Sequence, residues 1–198
     1  MVAGSRERRA ALGKVPGGRR VVALLLGHKA QPDQAIGSPQ LVADGLSAVA
    51  CVATGKALHD AVARACAARG LRVGTPVAAR FARVWLEDDI GHETDAKVAM
   101  ILLGERPGLG TGDGLSAYVV HAPAIGKTDG DRNMISNIHA RGMPPEDAAA
   151  RLAALAAAMI AQRTSGVALE LSQVAGQVGD AGGRGYRAPQ VRQRLVSP

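Results

Sequence analysis

Two continuous apolar runs mark the middle of the chain, KVAMILLG at 97–104 and LSAYVVH at 115–121. Neither alternates, and each is too short for a buried helix, so both read as strands covered on two faces. A shorter apolar stretch, QLVADG at 40–45, ends in Asp-Gly and predicts a third buried strand with its exit turn. Between these runs the period changes to 3.6. From Thr54, read as an N-cap, GKALHDAVARACAAR places Leu58, Ala61, Val62, Ala65 and Cys66 on one helical stripe, and Gly70 ends it. A second helix is predicted within PPEDAAARLAALAAAMIAQRTSG at 144–166, which opens on two prolines and puts Glu146 and Asp147 in its first turn. Leu152, Leu155, Ala156, Met159 and Ile160 form its stripe, and Gly166 is its stop.

Two segments resist this reading. Residues 72–95 are interrupted by Gly74 and Pro76, and their acidic end is compatible with a helix start, so their assignment stays open. DRNMISNIHARG at 131–142 gathers Asp131, Arg132, Asn133, Asn137 and His139 and reads as a polar loop before the last helix. Strands alternating with helices predict an α/β fold, with a Rossmann-like, partly parallel sheet and flanking helices. In such sheets ligands lie beyond the carboxyl ends of the strands. That rule selects the loops at 44–47 and 104–110, both rich in glycine, which lets backbone N–H groups approach a ligand closely.

Charge adds little to the folded part. The net charge of +7 is concentrated at the ends, where Arg6, Arg8, Arg9, Lys14, Arg19 and Arg20 precede the first strand and Arg184, Arg187, Arg192 and Arg194 follow the last helix. These ends read as flexible basic segments over 1–19 and 172–198, flanking an α/β domain at 20–171. The four aromatic residues, Phe81, Trp85, Tyr118 and Tyr186, are too few for a base-stacking surface, so no nucleic-acid partner is expected. Cys51 and Cys66 suit neither a disulfide framework nor a metal pair. Reduced cysteines and the lack of any run near the roughly 20 apolar residues of a bilayer span point to a cytoplasmic protein with no membrane partner.

The candidate chemistry is sparse. GERPGLG at 104–110 offers a carboxylate that accepts from amides or hydroxyls and an arginine suited to phosphate. The G-x-G of GLGTGDG is not followed by a helix and does not make a dinucleotide fingerprint. No P-loop, zinc spacing or nucleophile elbow is present.

Taken in order, DGLSA (44–48), RVGTP (72–76), GERPGL (104–109), LSAY (115–118), DRNMISNIH (131–139), PPEDAAARL (144–152) and SGVAL (165–169) form a more specific pattern. Over about 40–170 the chain resembles the small subunit of ethanolamine ammonia-lyase. The resemblance implies an adenosylcobalamin-dependent carbon–nitrogen lyase that converts ethanolamine into acetaldehyde and ammonia. It also implies a large-subunit partner that holds the substrate, in a hetero-oligomer that is cytoplasmic or housed in a bacterial microcompartment. The hard chemistry would belong to the cofactor. By similarity, Val84, Glu105 and Met134 contact the corrinoid, and no catalytic or metal-ligating residue is assigned to this chain. Family members can carry a cysteine at the position of Met134. No Asp-x-His-x-x-Gly motif is present, so base-on binding is expected. The alternative is a noncatalytic α/β binding module that uses its basic tails.

Overall fold

A computed structural model describes residues 37–38, 40–107 and 112–172. The basic segment at 1–19, the tail beyond Ser172 and positions 108–110 of the second glycine-rich loop lie outside the described residues. The two apolar runs form adjacent strands, β5 (Val98–Gly104) and β6 (Leu115–His121), in a five-stranded sheet. The other strands are β2 (Gln40–Ala43), β4 (Val77–Ala79) and β7 (Arg132–Ile138), in the order β4-β2-β5-β6-β7. β4 and β2 run parallel to β5, whereas β6 is antiparallel to both β5 and β7. The sheet is therefore mixed, as the partly parallel expectation requires. A separate parallel pair joins β1 (Gly37–Ser38) to β3 (Arg72–Val73).

Every residue of β5 is buried because its two faces serve two cores. Val98, Met100 and Leu102 enter the larger core beneath the helices α2 (Lys56–Ala67) and α4 (Pro145–Gln162), while Ile101 and Leu103 enter a smaller one with Ile90 of α3 (Leu86–Glu93). Side chains alternate across a strand, so this division follows from the pleat. The alanines of α4 that are fully buried, among them Ala149, Ala153 and Ala154, let α2 and α4 approach closely over the first face.

The first helix starts earlier than Thr54. Ser47 is the cap, its Oγ accepting from the Ala50 N–H at 3.1 Å, and the chain is helical from α1 (Ala48–Ala50) through a π turn at Cys51–Gly55 into α2. Thr54 is internal and buried, and its hydroxyl donates to the Asp113 carbonyl at 3.0 Å. Single-turn π bulges inside helices recur at functional sites. Gly70, at φ +71°, ends α2 as expected. α4 stops at Arg163 rather than at Gly166, because Arg163 itself adopts the left-handed conformation. The polar loop expected at 131–142 is instead largely β7, an edge strand. Its face alternation is carried by arginine, asparagine and serine, so no apolar run announces it. The open segment at 72–95 resolves into β3, β4 and α3.

The turn after β2 closes onto the end of β5. Leu46 N–H donates to the Gly104 carbonyl at 2.8 Å, and a β-carbon on Gly104 would lie 2.1 Å from the Ser47 carbonyl oxygen. Backbone on both sides leaves no flexible atom to yield. Gly104→Ala is therefore expected to cost ~2 kcal/mol or more of stability, read as a lower urea midpoint; an unchanged midpoint would mean that the two loops are not held in contact.

Candidate functional site

The two loops selected by the strand-end rule meet at one shallow cavity of about 390 Å³, lined by Gly45, Leu46, Val84, Glu105, Arg106 and Tyr118 among others. Asp44, next to the lining residue Gly45, ties its turn to the chain after β4: one carboxylate oxygen accepts from Phe81 N–H at 2.9 Å and the other from Ala82 N–H at 3.3 Å. These bonds hold the chain after β4 in a turn where Phe81 is left-handed, at φ +58°. Arg83 then reaches back to the Gly45 carbonyl at 2.8 Å, which fixes Val84 at the cavity edge.

Glu105, directly after β5, is half-buried and held at one oxygen. Oε1 accepts from the Ser116 hydroxyl and from Asn137 N–H at 3.1 Å, while its own N–H donates to the Gly114 carbonyl at 3.0 Å. Oε2 has no donor among the described residues. The nearest constraint on it is space: a β-carbon on Gly114 would lie 3.3 Å away, so glycine leaves that oxygen room. Arg106, exposed beside it, forms no ion pair with the described residues. Tyr118 lies further along the same face; burial, then the nearby Asp129, Glu105 and Glu87, push its phenol above the ordinary range and keep it neutral.

Val84 and Glu105 thus share the cavity. Met134 is not part of its lining; it is exposed on β7 and pairs across the ladder with Tyr118, which is. The three predicted residues lie along one face of the sheet, the face that α3 covers only in part. Leu46, Phe81, Trp85 and Met134 are each more than half exposed there. The sequence reading missed Ser116 and named Asn137 only as part of a polar loop, with no link to Glu105. Ser116 had a signal, as the one small polar side chain interrupting the apolar run LSAYVVH. Asn137 had only its capacity for a positive φ, here +60°. His139, expected in a loop, is buried: Nδ1 accepts from Arg141 N–H at 3.3 Å, so Nε2 carries the proton toward Asn137 Oδ1 at 2.7 Å.

Below this face lies a buried ion cluster. Arg132 Nη1 meets Glu87 Oε1 at 2.6 Å and Nη2 meets Asp88 Oδ2 at 3.0 Å, with all three side chains at most 4% exposed. Glu87 Oε2 and Asp88 Oδ1 are buried without a hydrogen bond. One guanidinium cannot balance two buried carboxylates. Desolvation dominates, opposed by Arg132, and pushes the Glu87 carboxyl up to about 8; Asp88 is raised for the same reason. Burial likewise pushes the Cys66 thiol up to about 11 and raises Cys51, so neither thiol is activated.

Fold and site together define an α/β protein with a shallow cavity on the face of a mixed sheet that α3 covers only in part. Its residues 9–170 match the family model of the ethanolamine ammonia-lyase light chain (EutC), and the chain belongs to that family. Membership makes it the small subunit of a lyase that assembles with a large subunit, in a family that depends on adenosylcobalamin. Among the described residues no helix is long and apolar enough to cross a membrane.

The ion cluster sets a pH dependence. In the folded chain Glu87 keeps a proton that the unfolded chain releases near 4.5, so its stabilising contribution is complete below that pH and is lost as the pH rises towards about 8. Urea midpoints should fall across that window, and Glu87→Gln should flatten the slope; a slope unchanged by the substitution would show that Glu87 is ionised throughout. Arg132→Met, which leaves both carboxylates without a partner, should cost ~3–5 kcal/mol at neutral pH.

Proposed function

We propose that this chain forms one wall of the adenosylcobalamin site of ethanolamine ammonia-lyase, with Glu105 as its principal polar contact and Val84 and Met134 as apolar ones. The carrying observation is the carboxylate of Glu105, pinned through Oε1 and with no donor to Oε2 among the described residues, at the mouth of a shallow cavity. A corrinoid is broad and flat, with apolar ring faces and amide arms. The donor set fits such a group: an acceptor oxygen and a guanidinium for its polar periphery, and Leu46, Val84, Tyr118 and Met134 for its apolar surface. A cavity of about 390 Å³ is too small to enclose it, which suits a shared site closed by the large subunit. The exposed Phe81 and Trp85 beside Val84 then become surface for that partner or for the cofactor's edge.

When bound, adenosylcobalamin supplies the radical chemistry that converts ethanolamine into acetaldehyde and ammonia. The chain's own contribution is positional. Ser116 and Asn137 hold the Glu105 carboxylate in one orientation, so accepting from a corrin amide requires little further ordering. The large subunit holds the substrate. Base-on binding is consistent with His139, whose two ring nitrogens are both engaged within the chain, so it does not offer a replacement for the cofactor's lower base.

The test combines this chain with a family large subunit and follows ammonia release and cofactor retention. Release from ethanolamine should require both subunits and adenosylcobalamin. Glu105→Ala should weaken cofactor retention by about tenfold, equivalent to about 1.4 kcal/mol, while the isolated chain unfolds at the same urea concentration as the wild type. Retention unchanged by Glu105→Ala would remove Glu105 from the cofactor site.

A further inference from the structure

A second cavity, of about 330 Å³, opens at the opposite end of the sheet. β6 carries Leu115 at the end near Glu105 and His121 at the other, some six residues apart, or roughly 20 Å at the rise of a strand. His121, Lys127, Arg163 and Thr164 line this cavity, with Asp131 as its one carboxylate. None of its residues belongs to the site described above.

The walls are tightly built. Ser165 Oγ accepts from His121 N–H at 2.9 Å and donates to the Asp131 carbonyl. The Asn133 amide clamps Gly166 on both sides, accepting from its N–H at 2.7 Å and donating to its carbonyl at 3.3 Å. Arg132 Nη2 donates to the Lys127 carbonyl at 3.2 Å, fixing the backbone that carries the Lys127 ammonium. Two lining residues, Ala122 and Arg163, are left-handed at φ +46° and +56°, where glycine would be the unstrained choice. Such conformations persist only where the surroundings impose them, and they concentrate at ligand sites.

Positive charge in the cavity exceeds negative, with Lys127 and Arg163 against Asp131. Lys127 and Arg163 form no ion pair with the described residues. Asp131 turns Oδ2 to Thr128, accepting from its N–H at 2.8 Å and its hydroxyl at 2.7 Å. Asp131 offsets one of the two cations and the carboxyl end of α4 at Arg163 contributes about half a negative charge, which leaves the cavity weakly positive. Partial burial, then Lys127 and Arg163, lower the pKa of His121, so the two cations act on the same space.

We propose that this cavity is a phosphate site, taking inorganic phosphate or the phosphate group of a monoester between the Lys127 ammonium and the Arg163 guanidinium, with Thr164 and His121 as further donors. Two cations and a hydroxyl make a donor-rich set that suits a dianionic oxyanion. A bound dianion stabilises the imidazolium of His121, and by reciprocity the protonated form binds the anion more tightly.

The full chain, isotopically labelled at histidine, is titrated with inorganic phosphate, with methyl phosphate and with sodium chloride at matched ionic strength, and His121 is assigned through His121→Gln. The expected result is a saturable shift of the His121 resonances with phosphate, a higher His121 pKa in its presence, and no saturable response to chloride. Methyl phosphate acting as well would assign the site to an ester's phosphate group; inorganic phosphate acting alone would assign it to the free ion. Arg163→Gly should keep the chain folded, since glycine suits that backbone, and weaken binding at least tenfold; Lys127→Gln should weaken it too. A response that never saturates, or one that chloride reproduces or that both variants leave unchanged, would overturn the proposal.

Discussion

Arg132 sets the geometry of the open face. Its guanidinium, on the edge strand β7, meets carboxylates on two successive residues of α3 from 44 and 45 positions away in the chain. Burying a charge costs several kcal/mol per ion before pairing offsets it, so the cluster is a poor source of net stability. What it imposes is register. A planar fork facing Glu87 and Asp88 is satisfied in one placement of α3 relative to β7, and that placement brings Val84 and Trp85, just before α3, to the face that carries Met134. The same packing leaves two carboxylate oxygens unpaired and shifts Glu87 far from its ordinary range, so the lock is sensitive to pH.

The asymmetry of the sheet explains why a site exists at all. One face is sealed by α2 and α4, whose alanines and leucines close a continuous core with Met100, Leu102 and Val119. Among the described residues the other face carries one eight-residue helix, too short to cover five strands. Beyond its reach the face turns polar, with Ser116 and Tyr118 in place of the leucines a second helix would need. Glu105 stands where the two conditions meet: its backbone continues β5, while its carboxylate lies beyond the covered core.

Burial by like neighbours was legible in the sequence, and burial by distant partners was not. β5, β6, α2 and α4 are each defined by a local apolar pattern, and their existence follows from it. β7 and α3 are not, because Arg132, Glu87 and Asp88 look like solvated residues until they are seen to pair across the fold. Thr54 resembled a cap because nothing local shows that the chain is already helical from Ala48. The strand-end rule located the loops at 44–47 and 104–110 and with them Glu105. It said nothing of Ser116 and Asn137, which lie on other strands and reach Glu105 only through the register of β5, β6 and β7. The scarce aromatics argued only against a base-stacking surface; their count carries no information about position, and Phe81 and Trp85 stand exposed beside the site.

The account stands or falls on whether the face bearing Val84, Glu105 and Met134 meets the cofactor. The most direct test places a thiol at its edge, Met134→Cys, in a Cys51→Ser background, assembles the chain with the large subunit, and measures the alkylation rate with and without adenosylcobalamin. Protection that appears only when the cofactor is added is the predicted result. Equal rates in the assembled complex, with the thiol still reactive in both, would place the cofactor elsewhere and contradict the reading.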